Sequence, residues 1–385
     1  MAHCGDPTET VVTALKSRVP QLAHRASLYI NRTTVLYGPS GSGKTVYTRF
    51  IMKLLSPHFD QALIVSPTEA SNRSYTGTLP PQLIHYRCGF DGALSDKGLP
   101  LEGKEAVRHF LDEIIYRQKI ASEIHAKVND TPTLRRLYAR ARTPRGDRLL
   151  EAVAKARRVK LTEATRSLPS PEAVEIAREK IGNDFGKIEA RVYKNLVLSQ
   201  RTALRRLKGL SDDDAFVLQY LAINHHLLLV FDDCAAELKP FFKTEQFRKL
   251  FYQGRHLGVT MIMCCQDDTD VDPNLRKNVF LSIYMTPQIA ATAFRRAAAN
   301  AQEQKYVSDI VPEVYAREHR KLVFIRDDPQ RYYHTTVPLT PPFRFGSEAM
   351  WRLCATVAAT KSNIDVSNPY YERFRLKPAE GGRPK

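Results

Sequence analysis

The stretch Gly38-Pro39-Ser40-Gly41-Ser42-Gly43-Lys44-Thr45 constrains this chain's fold more than any other. It fits the pattern G-x-x-x-x-G-K-[ST] of a phosphate-binding loop. A β-branched, apolar run, Thr33 to Tyr37, precedes it, and a helical pattern from Gly43 to about Leu55 follows, so strand, loop and helix come in the required order. The residue types have physical reasons. Glycines let successive backbone N–H groups point inward at phosphate oxygens, and the helix N-terminus adds its positive end. In that geometry Lys44 would hold the β- and γ-phosphates of ATP, and Thr45 would supply a ligand position for Mg2+.

A hydrolytic site of this type needs acidic groups at the end of a neighbouring strand. Leu227-Leu228-Leu229-Val230-Phe231-Asp232-Asp233 supplies two, with Asp232 expected to organise the metal and Asp233 to act as general base. The competing reading is an exposed pair capping the next helix. Gln266 follows another apolar strand, Val259 to Cys264 or Cys265. It would emerge beside the γ-phosphate and orient water if that strand lies next to the Asp232 strand. Gly254-Arg255-His256 stands before the same strand, at the end of a helix over Thr244 to Tyr252. Arg255 is therefore a candidate arginine finger acting on the next subunit, with Arg276 and Arg295 as rivals and a plain surface arginine as the alternative.

The remaining pattern places strands at Gln61 to Val65 and Val279 to Met285, helix formers from Gln288 to about Gln304, and a hairpin of Lys321 to Arg326 with Arg331 to Thr336. From about Tyr75 to Asp214 the composition shifts to Ala, Leu, Glu, Lys and Arg and reads as mostly helical. The expected organisation is a helical lead-in over 1–25, an α/β domain over 26–345 interrupted by this insertion, and a C-terminal extension over 346–385 ending in a disordered basic tail.

Charge narrows the partners. The chain has 58 Lys and Arg against 41 Asp and Glu, a net +17, and between Lys104 and Lys208 there are 25 basic and 13 acidic residues. The densest runs are Arg135 to Arg148, Lys155 to Lys160 and Arg201 to Lys208. Three readings stay open: a solvated helical face, a nuclear-import signal, or a surface facing nucleic acid. Six scattered cysteines without C-x-x-C spacing indicate reduced thiols, and the absence of a signal peptide or a long apolar run indicates a soluble, intracellular protein.

Gly38 to Thr45, Leu228 to Asp233, and Phe251 to Thr260 running into Gln266 and Pro273 to Asn278 together resemble the FtsK–HerA superfamily of DNA-pumping ATPases. Within it the likeness is to the genome-packaging ATPases of poxviruses and related large DNA viruses. The shared stretches cover roughly a third of the chain. The resemblance implies a RecA-like (ASCE) P-loop fold with a parallel sheet flanked by helices, and ATP hydrolysis coupled to sequence-independent movement along double-stranded DNA. It also implies a homo-oligomeric ring, a viral capsid or portal-like partner, and work at a nuclear or cytoplasmic assembly site. The long basic insertion departs from that pattern. A kinase is disfavoured by Asp233 with Gln266, and a GTPase by the lack of an N-K-x-D motif. A cellular-type translocase or helicase, or a nucleic-acid-binding scaffold with a static ATP site, remains as the alternative.

Overall fold

A computed structural model describes residues 19–90, 93–95, 98–166, 168, 170–297 and 301–363. The described residues divide into two compact units, one formed by those up to 118 and from 226 onward, the other by those between 119 and 225.

The first unit is built on an eight-stranded sheet: β1 (Thr33–Tyr37), β2 (Gln61–Val65), β3 (Ile84–His85), β4 (Leu227–Asp232), β5 (Val259–Cys265), β6 (Leu281–Tyr284), β7 (Lys321–Ile325) and β8 (Tyr332–Thr335). Their order is β3-β2-β4-β5-β1-β6-β7-β8. The first six neighbours run parallel and the β7–β8 hairpin closes the sheet antiparallel. Parallel strands are covered on both faces, which is why β4 and β5 read as unbroken apolar runs; every residue of both is buried. Alternate residues of one strand enter opposite cores. Val35, Leu229, Phe231 and Met263 face one core with the helices Glu245–Gln253 and Pro287–Ala297, while Leu36, Leu228, Val230 and Ile262 face the other with the helix Lys44–Leu55.

The sequence-derived elements hold, with shifts at their ends. The helix expected over Thr244 to Tyr252 runs Glu245–Gln253, with Thr244 capping it through its hydroxyl. The strand expected from Val279 starts at Leu281. The expected single helical stretch after Gln288 is two helices, Pro287–Ala297 and Ala301–Tyr315. Residues 19–25 are not helical: Gln21 forms a parallel bridge to His334, and Leu22 N–H donates to the His334 carbonyl at 2.8 Å. Residues 1–18 and the tail from about 377 lie outside the described residues.

The second unit is helical. Its helices Thr131–Ala139, Pro144–Thr165 and Pro171–Ser199 each begin with a capping side chain, Asp130, Thr143 and Ser170, and carry proline in the first turn, where its missing N–H removes no helix bond. Its own core holds Leu134, Leu137, Tyr193, Val197, Leu204 and Leu218. This unit begins and ends later than the compositional shift near 75 and 214 suggests. Composition reports helix propensity, whereas Phe110, Leu111 and Ile114 of the helix Gly103–Val128 are buried in a core of the sheet unit. Among the described residues no helix is long and apolar enough to cross a membrane.

Candidate functional site

The loop after β1 is held by its first residue, whose Gly38 N–H donates to the Cys265 carbonyl at 3.0 Å. Gly41 (φ 75°) and Gly43 (φ 94°) occupy the left-handed region that a side chain resists. Lys44 opens the helix, and its ammonium curls under the loop to donate to the carbonyls of Gly38 (2.6 Å) and Pro39 (3.1 Å). Ser42 N–H closes the turn onto the Pro39 carbonyl at 3.3 Å. The loop borders a cavity of about 380 Å³, lined among others by Ser40, Lys44, Thr45, Thr68, Asn72 and Asp233.

Asp232 ends β4 with 4% of its surface exposed. Thr45 donates its hydroxyl to Asp232 Oδ2 at 3.3 Å, and the Tyr75 phenol donates to the same oxygen at 2.7 Å. Burial raises the Asp232 pKa, while those donors and the Lys44 charge oppose the rise. A hydroxyl beside a buried carboxylate is the protein half of a P-loop Mg2+ site, the rest coming from phosphate oxygens and water. Among the described residues there is no group of three or more His, Cys, Asp or Glu that could hold a metal ion.

Asp233 does not cap the next helix. It adopts the left-handed conformation (φ 59°), a strained state for a residue other than glycine and one that recurs at functional sites. Its N–H donates to the Cys264 carbonyl at 3.3 Å. That bend leaves its carboxylate at the cavity, where Oδ1 accepts a hydrogen bond from Gln266 Nε2 at 3.0 Å. The contact exists because β5 lies between β4 and β1, with Asp232 level with Cys264 and Tyr37 level with Cys265. The condition placed on Gln266 is therefore met.

Three aspartates that the sequence reading passed over hold Gln266 in place. Asp270 accepts from the N–H groups of Gln266 and Asp267, both at 2.9 Å. Asp267 caps the short turn by accepting from Thr269 N–H, which pulls its pKa down to about 2. Asp268, its side chain 3% exposed, pairs with Arg276 and, at 2.7 Å, with Arg296. The run Asp267-Asp268-Thr269-Asp270, one residue past an apolar strand, was the available signal.

The arginines separate clearly. Arg276 is tied to Asp268, whereas Arg295 is exposed on the helix Pro287–Ala297. Arg255 is exposed in a turn ahead of β5, with its Nε 3.2 Å from His256 Nε2. Seven strand residues, about 23 Å of chain, separate that end of β5 from Gln266, so Arg255 has no place in its own chain's pocket. The remaining groups combine a glycine-rich loop, a lysine, a hydroxyl beside a buried carboxylate, and a second carboxylate bonded to an amide. That combination suits hydrolysis better than transfer to a second substrate.

No family model matches the chain. Protein B354L of African swine fever virus (isolate Pig/Kenya/KEN-50/1950) is 41% identical over 362 residues, covering 93% of this chain and 97% of that protein. The B354L protein of strain Badajoz 1971 Vero-adapted matches over the same shares at 41%. Among solved structures, the genome-packaging NTPase B204 from Sulfolobus turreted icosahedral virus 2 is 12% identical, with 80% of this chain and 98% of that one covered and a TM-score of 0.35. VirB4 of Thermoanaerobacter pseudethanolicus is 10% identical, with 80% and 90% covered and a TM-score of 0.32. The P-loop fold is carried by the loop geometry and by a strand order that places β5 between the loop strand and the acidic strand. The full-length identity carries the kinship: this chain belongs to the family of African swine fever virus protein B354L.

Proposed function

We propose that this chain is an Mg2+-dependent ATPase that moves double-stranded DNA through a homo-oligomeric ring, as the motor of viral genome packaging. The carrying observation is the 3.0 Å bond between Asp233 and Gln266 at the ends of adjacent strands beside Lys44 and Thr45. A static nucleotide site needs the loop but not this pair. Lys44 and the loop N–H groups would hold the phosphates, and Thr45 and Asp232 would hold the metal, which would supply charge neutralisation there. Asp233 takes the proton of the attacking water while the Gln266 amide orients it.

The sorting of the basic residues supports DNA as cargo. Arg135 and Arg136 pair with Glu189 (2.9 Å) and Asp214 (2.7 Å), and Arg142 with Asp147 (3.2 Å). Arg201 and Arg205 donate to the Leu218 carbonyl. These hold the helical unit together. Arg145, Arg148, Lys155, Arg158 and Lys160 of the helix Pro144–Thr165 are exposed and, among the described residues, carry no ion pair. Such cations contact phosphates rather than bases, so binding is independent of sequence and falls steeply with salt. The packaging role and the capsid-side partner rest on the motif resemblance, and Arg255 is assigned to the neighbouring subunit's γ-phosphate.

ATPase assays with and without long double-stranded DNA, with mass from light scattering in a nonhydrolysable ATP analogue, test this reading. DNA-stimulated turnover by ring-sized particles is expected; a monomer indifferent to DNA overturns it. Arg255→Ala should bind ATP without turnover and regain partial activity when mixed with a Lys44→Ala variant.

A further inference from the structure

We infer that Tyr75 is a positioning residue for the metal-holding carboxylate, and that Glu69 and Tyr75 bind the cavity-lining segment of Thr68 and Asn72 to Asp232 as one unit. The inference rests on the nucleotide-site reading above. Tyr75 is fully buried and lies 157 residues from Asp232 in the chain, yet its phenol donates to Asp232 Oδ2 at 2.7 Å, closer than the 3.3 Å of Thr45 to the same oxygen. A phenylalanine would fill the same core volume. The hydroxyl therefore serves the carboxylate rather than the packing. Two donors on one oxygen fix the plane of the carboxylate. Partners of this outer kind orient metal-holding groups, and their loss typically costs about 10- to 100-fold in metal affinity or activity.

Tyr75 is in turn placed by Glu69, which is 2% exposed. The Tyr75 N–H donates to both Glu69 oxygens at 2.9 and 3.1 Å, and Thr76 adds its N–H at 2.8 Å and its hydroxyl at 2.9 Å. Closing the turn after the helix Glu69–Asn72 would account for the backbone bonds alone. It does not account for a phenol aimed at the acid. The same segment contributes Thr68 and Asn72 to the lining of the cavity that Lys44 and Thr45 also border. A ligand touching Thr68 or Asn72 therefore meets a segment bonded, through Glu69 and Tyr75, to the carboxylate that holds the metal.

The test is Mg2+ titration of a fluorescent ATP analogue bound to the full chain, wild type against Tyr75→Phe, with thermal denaturation in parallel. Binding without Mg2+ should stay within about twofold, while half-saturating Mg2+ rises about 10- to 100-fold in the variant. A purely structural tyrosine would lower the Tm and leave the Mg2+ curve in place. Superposed Mg2+ curves overturn the inference while leaving the nucleotide site intact; a wild type whose nucleotide binding ignores Mg2+ overturns both. If Tyr75→Phe does not fold, Glu69→Gln provides the same readout: a smaller shift in the same direction is expected, and an unmoved curve counts against the coupling.

Discussion

Replacing Asp233 by Asn should separate binding from turnover. The structure sets both halves of the expectation. Asparagine tolerates the left-handed conformation at φ 59° as well as aspartate does, and its amide oxygen can still accept the Gln266 Nε2 bond of 3.0 Å. The side chain is only half-buried, so the stability change should stay within about 0.5 kcal/mol. Nucleotide affinity should be unchanged, because Lys44, Thr45 and Asp232 keep their contacts. Only the proton-accepting oxygen is lost, and a positioned base contributes about 10²- to 10⁴-fold, or about 3–5 kcal/mol of barrier. Steady-state phosphate release gives kcat, a fluorescent analogue gives affinity, and urea denaturation gives stability. A variant whose kcat stays within about threefold of wild type would refute Asp233 as the base. A large loss of affinity or stability would show instead that its role is to hold the loop.

Gly38→Ala should weaken both fold and binding. An added Cβ would lie 2.4 Å from Ser42 Oγ and 2.6 Å from Met285 Cβ, and overpacking of this kind costs about 1–3 kcal/mol, readable in urea denaturation. Arg276→Ala leaves the buried Asp268 with Arg296 alone, so stability should drop by about 1–3 kcal/mol and kcat should fall as the Gln266 loop loosens. Burial pushes His24 down to about 4 from its usual 6.5. The unfolded chain therefore takes up this proton first on acidification, and stability should fall as pH drops from 6.5 toward 4. With its partial exposure discounted, the loss is roughly 1–2 kcal/mol, and thermal denaturation of His24→Gln should show a flatter pH profile across that window. Asp267, held at about 2 by the Thr269 bonds, adds a loss of the same sign only below its ordinary 3.8.

The P-loop, the Asp232-Asp233 pair and Gln266 could be read from the chain because each sits in a short local signal. Gly38 to Thr45 is contiguous, and Asp232 ends, while Gln266 follows, an apolar run whose length marks a strand buried on both faces. The helical, basic character of the second unit was equally local, since helix propensity and charge need no partner. What the chain could not show is which distant groups meet. The bonds of Tyr75 to Asp232, and of Asp268 to Arg276 and Arg296, depend on where separate segments end up after packing. The two-residue strand β3 is too short for periodicity to mark, and the unit boundaries at 118 and 226 follow core contacts rather than composition.

Arg255 and the basic runs show the same division most clearly. The sequence placed Arg255 before the strand and Gln266 after it, and the extended course of β5 holds the two at opposite ends. The charge count identified a cation-rich stretch but not which cations were already bound. Arg136 and Arg142 look like Arg148 and Lys155 until folding brings Asp214 and Asp147 against the first pair. Residue type and spacing specify what a group can do, whereas its partner is chosen by tertiary packing, because hydrogen bonds and ion pairs act over a few ångströms that sequence separation does not measure.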